Sequence, residues 1–147
     1  MSELSIKLKI VTPEKTVFED TVSQATLSTT DGQITILPNH RSYIASLRPD
    51  ELMFKKESKE TILYISGGFI EFNRNELVVL ADTAERVEEI DLKNAEEARA
   101  RAEELKKEKI LMSDEEYAAV AAAIERESAR VRIARKHYSK RGVSLGE

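Results

Sequence analysis

The chain has 147 residues, of which 41% are hydrophobic and 34% charged, and a formal net charge of −4. That length suits one domain or two small ones, and the mixed charge excludes the basic profile of a nucleic-acid binder, so no nucleic-acid partner is expected. There is no cysteine, which excludes disulfide frameworks, thiolate zinc sites and cysteine nucleophiles.

The chain begins MSELSIKLKI, which has neither the apolar run of a signal peptide nor the Arg-rich character of a transit peptide. The expectation is a protein that stays where it is made. Leu4, Ile6, Leu8 and Ile10 alternate with polar residues, the period of a half-buried strand. Pro13 then marks a turn. Strand-like runs follow in TVFEDTV and SQATLSTT, and after a Thr-Asp-Gly turn in QITILP, ELMFKK, TILYISGGFIEF and ELVVLAD. Turns every ~8–12 residues between short strands indicate an all-β sandwich or barrel. Gly67-Gly68 interrupts an apolar strand and reads as a bulge or a close backbone approach.

Composition then shifts. All three prolines precede residue 50, and neither Gly nor Pro occurs between Phe69 and Arg141. The shift divides the chain near Ala84–Glu89 into a β unit (1–86) and a helical unit (87–147), an α+β fold. Asp91 is placed to cap a first helix running to about Lys109, with Leu92, Ala95, Ala98, Ala102 and Leu105 as its apolar stripe. Ser113 and Glu116 form a capping box after ILMSDEE. The second helix carries Tyr117, Val120, Ala121, Ile124, Ser128, Val131 and Tyr138 on one face and is expected to end before Gly142. Narrow stripes of small residues suit an antiparallel hairpin. Such a hairpin is marginal alone in water and needs a surface to lean on.

Chemistry is sparse. His40 follows a Pro-Asn turn, with Ser42 and Asp31 nearby, but no nucleophile motif accompanies it. The only other histidine is the distant His137. A structural or interface histidine outweighs a base or a metal ligand, and no metal is expected. Gly67-Gly68 lacks the Lys-Ser/Thr of a phosphate loop. Glu85, Glu88, Glu89 and Asp91 gather at the start of the first helix, where each carboxylate adds ~0.3–1 kcal/mol. Arg126, Arg130, Arg132, Arg135, Lys136, Lys140 and Arg141 exceed what the other helix end needs. They suggest an acidic partner surface. Arg126 and Arg130, one turn apart, could clamp a phosphate. An interaction module is favoured over an enzyme.

Four segments in order, IVTPEKTVFEDTV, LSTTDGQITILPNHRSYIASL, YISGGFIEFNRNELVVLADTAERVEEID and the Ala-rich charged hairpin, add a resemblance. Over nearly its whole length the chain resembles the epsilon subunits of F-type ATP synthases. The resemblance implies a ten-stranded β-sandwich followed by a helix–loop–helix, without catalytic residues. It implies a place at the foot of the rotating central stalk, bound to the gamma subunit and resting on the membrane rotor ring of c subunits. The hairpin could fold down against the sandwich or extend along gamma to the alpha and beta catalytic subunits, where it would block ATP hydrolysis. The basic last turns, with Arg130, Arg132 and Arg135, would then make the inhibitory contact with the acidic partner the resemblance supplies. Thr30, Asp31, Gly32 and His40 would lie at the rotor-ring interface. The location implied is peripheral, on the cytoplasmic face of a bacterial plasma membrane or the stromal face of a thylakoid.

Some bacterial members of that family bind ATP through a pattern like Ile-Asp-x-x-Arg-Ala. Here IDLKNA keeps Ile90, Asp91 and Ala95, and Glu85, Arg101, Arg126 and Arg130 fall on matching positions, but Asn94 stands where Arg is expected. Losing one charge-assisted contact weakens binding roughly 10- to 150-fold, so ATP is expected as no more than a weak regulatory ligand. A second departure, Pro49-Asp50 where the family often has Gly, should alter one turn and not the fold. The rival reading is a free-standing ATP-sensing or adaptor domain of the same fold.

Overall fold

Alternating apolar residues define the strands. The structure, a computed structural model, describes residues 4–108 and 112–140. It divides into two compact units, Met1–Arg86 and Val87–Glu147. The first contains β1 (Ile6–Val11), β2 (Thr16–Val22), β3 (Gln24–Thr29), β4 (Gly32–Ile36), β5 (Tyr43–Leu47), β6 (Asp50–Lys56), β7 (Lys59–Ile65), β8 (Gly68–Asn73), β9 (Glu76–Ala81) and β10 (Ala84–Arg86). They form one ten-stranded sheet in the order β10-β7-β6-β3-β5-β8-β9-β1-β2, with β4 paired to β3. The β1–β9 pair is parallel, Leu8 facing Leu77 and Ile10 facing Val79, and the other pairs are antiparallel.

The sheet folds over on itself as a β-sandwich. Ile6, Leu8 and Ile10 meet Ala25 and Leu27, Leu52 and Phe54, Ile70 and Phe72, and Leu77 and Val79 in one core. On one flank β2 approaches β6. The Phe18 and Phe54 rings lie 4.3 Å apart there. Beside them the Lys56 ammonium donates to the Asp20 carboxylate. That hydrogen bond holds the Asp20 carboxyl below its ordinary value and lifts the Lys56 ammonium above its own. Both side chains stay partly exposed, a setting in which ion pairs add little stability.

Three details differ from the sequence reading. Leu4 precedes β1 and is exposed. β5 and β10 have no clear alternation: β5 carries the exposed Ile44 on its outer face, and β10 is only three residues long. TILYISGGFIEF is not one bulged strand. Ile65 ends β7, Gly68 begins β8, and these two strands are not neighbours in the sheet. The close-approach half of the expectation holds. Gly68 has φ +136°, and a Cβ there would sit 2.0 Å from the Leu80 carbonyl oxygen. At Pro49-Asp50, β6 simply starts, and the Asp50 carboxylate accepts from the Ser28 hydroxyl at 2.8 Å and the Glu51 amide at 2.8 Å.

The second unit starts with a 3₁₀ turn (Val87–Glu89), followed by α1 (Leu92–Lys106) and α2 (Asp114–Lys140). The Asp91 side chain caps α1 by accepting from the Asn94 amide at 3.1 Å. The capping box forms: Ser113 N donates to Glu116 at 3.1 Å, and Glu116 N donates to Ser113 Oγ at 3.2 Å. Lys106 at the end of α1 lies over the Tyr117 ring near the start of α2, and Glu96 near the start of α1 pairs with Arg135 near the end of α2. Contacts at both ends make the helices an antiparallel hairpin.

Ala95 and Ala102 are the buried positions of α1, while Leu105 is exposed. In α2 the expected stripe is half-buried as far as Ser128. Beyond it the narrow-stripe expectation fails, because Ala129, Val131, Ile133, Ala134 and His137 are all buried. The interleaved basic residues hid this in the sequence. Lys109, Arg141 and Gly142 lie outside the described residues, and Tyr138 and Lys140 have no described side chain.

The crossing from β7 to β8 yields a direct expectation. Gly68→Ala should destabilise the protein by roughly 3 kcal/mol or more, and Gly67→Ala, where the nearest obstacle is the Asp82 side chain, by roughly 1–3 kcal/mol. Urea denaturation of the two variants checks the ranking. Equal midpoints would mean that Leu80 does not approach as described.

Candidate functional site

The residues singled out in the sequence fall in three places. The first is the start of the hairpin. Asp91 uses both carboxylate oxygens on Asn94, one on its backbone amide and the other on its side-chain amide at 2.9 Å. One of the two N–H donors of the Asn94 side-chain amide is thus engaged by Asp91. Ala95 is fully buried and Arg101 exposed on the same helix. Glu85 lies on β10, in the other unit, and is not a free carboxylate.

The second place is the basic end of α2. Arg130 is half-buried and pairs with Glu127 at 3.5 Å. Arg135 is paired with Glu96 across the hairpin. Arg126, Arg132 and Lys136 are exposed, yet none is a free cation. Part of the positive charge counted in the sequence is thus neutralised within the helical unit. Arg141 lies outside the described residues.

The third place is the β unit, where the structure separates residues that the sequence reading grouped. Thr30, Asp31 and Gly32 form the β3–β4 turn, whereas His40 sits in the β4–β5 connection, at the opposite end of β4. The two turns thus lie at the two ends of one strand. The first turn is pinned by the fully buried Thr29, whose hydroxyl donates to Gly32 O at 2.8 Å and accepts from Asp31 N at 3.1 Å. Thr30, Asp31 and Gly32 themselves are exposed.

The His40 turn is equally well held. Asn39, at φ 66°, donates its amide to Asn75 Oδ1 at 2.6 Å, and Asn75 Nδ2 donates back to Asn39 Oδ1 at 3.1 Å. The His40 ring stands edge-on to Phe72 at 5.8 Å and Tyr43 at 6.2 Å, with Nδ1 2.7 Å from Arg41 O. Its surroundings are those of a packed turn residue. Among the described residues no group of three or more His, Asp or Glu is arranged to hold a metal ion.

One feature was missed in the sequence: the outer face of β5, β8 and β9. Ile44 is 74% exposed, Phe69 59% and Leu80 54%. Cross-strand register sets Phe69 beside Leu80 and Ser46, and Glu71 between Ile44 and Val78. An apolar surface of this kind with one carboxylate inside it suits a partner that brings apolar side chains and a cation. The unbroken run LVVL in β9 was the available signal, since an unbroken apolar run has apolar residues on both faces of its sheet.

These features define a two-part module, a β-sandwich with an exposed apolar face and a helical hairpin. The chain belongs to the ATP synthase Delta/Epsilon chain family, whose beta-sandwich domain profile matches residues 5–87. A protein of Chloroflexus aggregans named ATP synthase epsilon chain is 38% identical over 94% of this chain and 98% of its own length. One of Herpetosiphon aurantiacus with the same name is 36% identical over 90% and 96%. One of Desulforudis audaxviator is 44% identical over 70% and 75%. In fold, the chain matches a chain of the Euglena gracilis mitochondrial ATP synthase structure of OSCP, F1 and c-ring, with a TM-score of 0.74 at 22% identity over 86% of this chain and 79% of that one.

The hairpin start leads to a ligand test. Asn94→Arg frees Asp91 from the Asn94 side-chain amide, keeps the backbone cap and adds a cation. It is expected to tighten ATP binding at least 10-fold, and Arg126→Ala to weaken whatever binding exists. Calorimetry on the full chain checks both. Tight binding by the unaltered protein, or no gain from Asn94→Arg, contradicts this reading of the site.

Proposed function

We propose that this chain is the epsilon subunit of the central stalk of an F-type ATP synthase, a non-catalytic part of its rotor that couples ion translocation to ATP synthesis. The observation that carries the proposal is the likeness to named epsilon chains through both units, 94% of this chain and 98% of the Chloroflexus relative. The rotor would ride at the periphery of the membrane, on the cytoplasmic side in a bacterium. In keeping with a peripheral place, no helix among the described residues is long and apolar enough to cross a membrane.

Each surface then has a task. The face of Ile44, Phe69 and Leu80 takes the gamma subunit, with Glu71 meeting a basic residue there. The Thr30-Asp31-Gly32 turn meets polar loops of the c ring, and its pinning by Thr29 suits a part that carries torque. His40 stiffens the opposite turn, away from that contact. The hairpin restrains ATP hydrolysis when Arg130 and Arg135 exchange Glu127 and Glu96 for acidic surfaces on the catalytic subunits and Arg132 meets those surfaces beside them. ATP is a weak ligand that biases this exchange.

Two measurements test the proposal. Phe69→Glu places a charge at the centre of the apolar face and is expected to lower co-purification with gamma at least 10-fold while leaving the fold intact. Wild-type recovery would remove that face from the interface. Deleting residues after Glu88 is expected to raise ATP hydrolysis by the assembled enzyme without loss of assembly, and Arg130, Arg132 and Arg135 changed together to Ala to give a partial rise that salt mimics. Equal hydrolysis rates with and without the hairpin would remove its inhibitory role.

A further inference from the structure

The core face of β6 and β7 changes character near its end. Paired residues there run Leu52 with Leu63, Phe54 with Thr61, and Lys56 with Lys59. Residues opposite one another in an antiparallel pair share a face. Leu52, Phe54 and Leu63 are buried in the core, yet the last pair on the same face is two lysines. Arg86 on β10 sits opposite Leu63 and so belongs to this face as well. Three cations thus stand where the alternation would continue the core.

The strand lengths leave room beside them. β10 ends at Arg86, so β7 from Lys59 to Ile62 has no strand neighbour on that side among the described residues. The gap is a groove of about 270 Å³ lined by Phe18, Phe54, Lys56, Lys59, Thr61 and Arg86, together with Glu57. Phe18 is half-buried and packs on Phe54, which gives the groove an aromatic wall. Lys56 is committed to Asp20. Lys59 and Arg86 are exposed, and their side chains have no hydrogen-bond or ion-pair partner among the described residues. Glu57 is the one acid in the lining and works against an anion.

We propose that this groove binds a small planar anion: one bicyclic ring carrying a single phosphate or carboxylate, the size of a purine with one acidic group. The ring lies against Phe18, where aromatic stacking favours a flat partner. The acidic group is held by Lys59 and Arg86, with charge-assisted hydrogen bonds that a neutral ligand cannot make. A volume just under the ~300 Å³ of ordinary ligand pockets limits the occupant to about this size. The site uses none of the hairpin residues and does not depend on the role assigned to the hairpin.

Titration of the isotopically labelled full chain with 1-naphthyl phosphate, followed by amide shifts, tests the proposal. Saturable shifts centred on Phe18, Phe54 and Thr61 are expected, with 1-naphthol and inorganic phosphate each binding at least 10-fold more weakly. Lys59→Gln with Arg86→Gln, both at exposed positions, should weaken binding 10-fold or more, and Glu57→Gln should tighten it about two- to three-fold. Without saturation, with shifts centred instead on Ile44 and Phe69, or with unchanged affinity in the double variant, the cations are only long side chains covering the end of the sandwich, and the proposal fails.

Discussion

The sandwich depends on one close passage of backbone past backbone. The chain leaves β7 and enters β8 in a different part of the sheet, and at the entry Gly68 lies against the Leu80 carbonyl. No side chain fits there, and a positive φ is needed as well. This passage fixes where β8 meets β9, since Gly68 pairs with Ala81 and Phe69 with Leu80. A shift by one residue would turn Phe69 and Glu71 inward and Ile70 and Phe72 outward. The exposed apolar outer face therefore owes its composition to a glycine it does not contain.

What was legible in the sequence follows from how local the cause is. Asp91 as a cap and Ser113 with Glu116 as a capping box were readable because three residues decide each. Strands with one apolar face, such as β1, were readable from alternation alone. β5 was not, because its outer face is apolar too. The separation of His40 from the Thr30 turn was equally hidden, since sequence distance does not say which end of a strand a turn occupies. Asn94 was read as a weak substitute for an arginine. Its bond to Asp91 depends on a side-chain conformation that composition does not encode.

The helical unit balances two kinds of contact. Ala95 and Ala102 are small enough to let the helices approach closely, but they bury little area and so hold the pair weakly. The Glu96–Arg135 pair adds a contact that is half in water and responds to salt. Weak apolar contact with exposed charge suits an element that changes partners, because few buried groups must be separated before it can move. Burial of Ile133, Ala134 and His137 shifts the firmer packing to the far end of α2.

The parallel pairing of β1 with β9 also bears on how the protein comes off the ribosome. The hairpins β3–β4, β6–β7 and β8–β9 join neighbours in the chain and can form as soon as they emerge. The first strand has its β2 partner early, but its other edge waits for the ninth. Closing so long a loop is slow, and until then the nascent chain carries an open edge next to unpaired apolar surface. Synthesis of the helical segment overlaps this interval, so the sandwich completes its centre only while its last strands and the hairpin are being added.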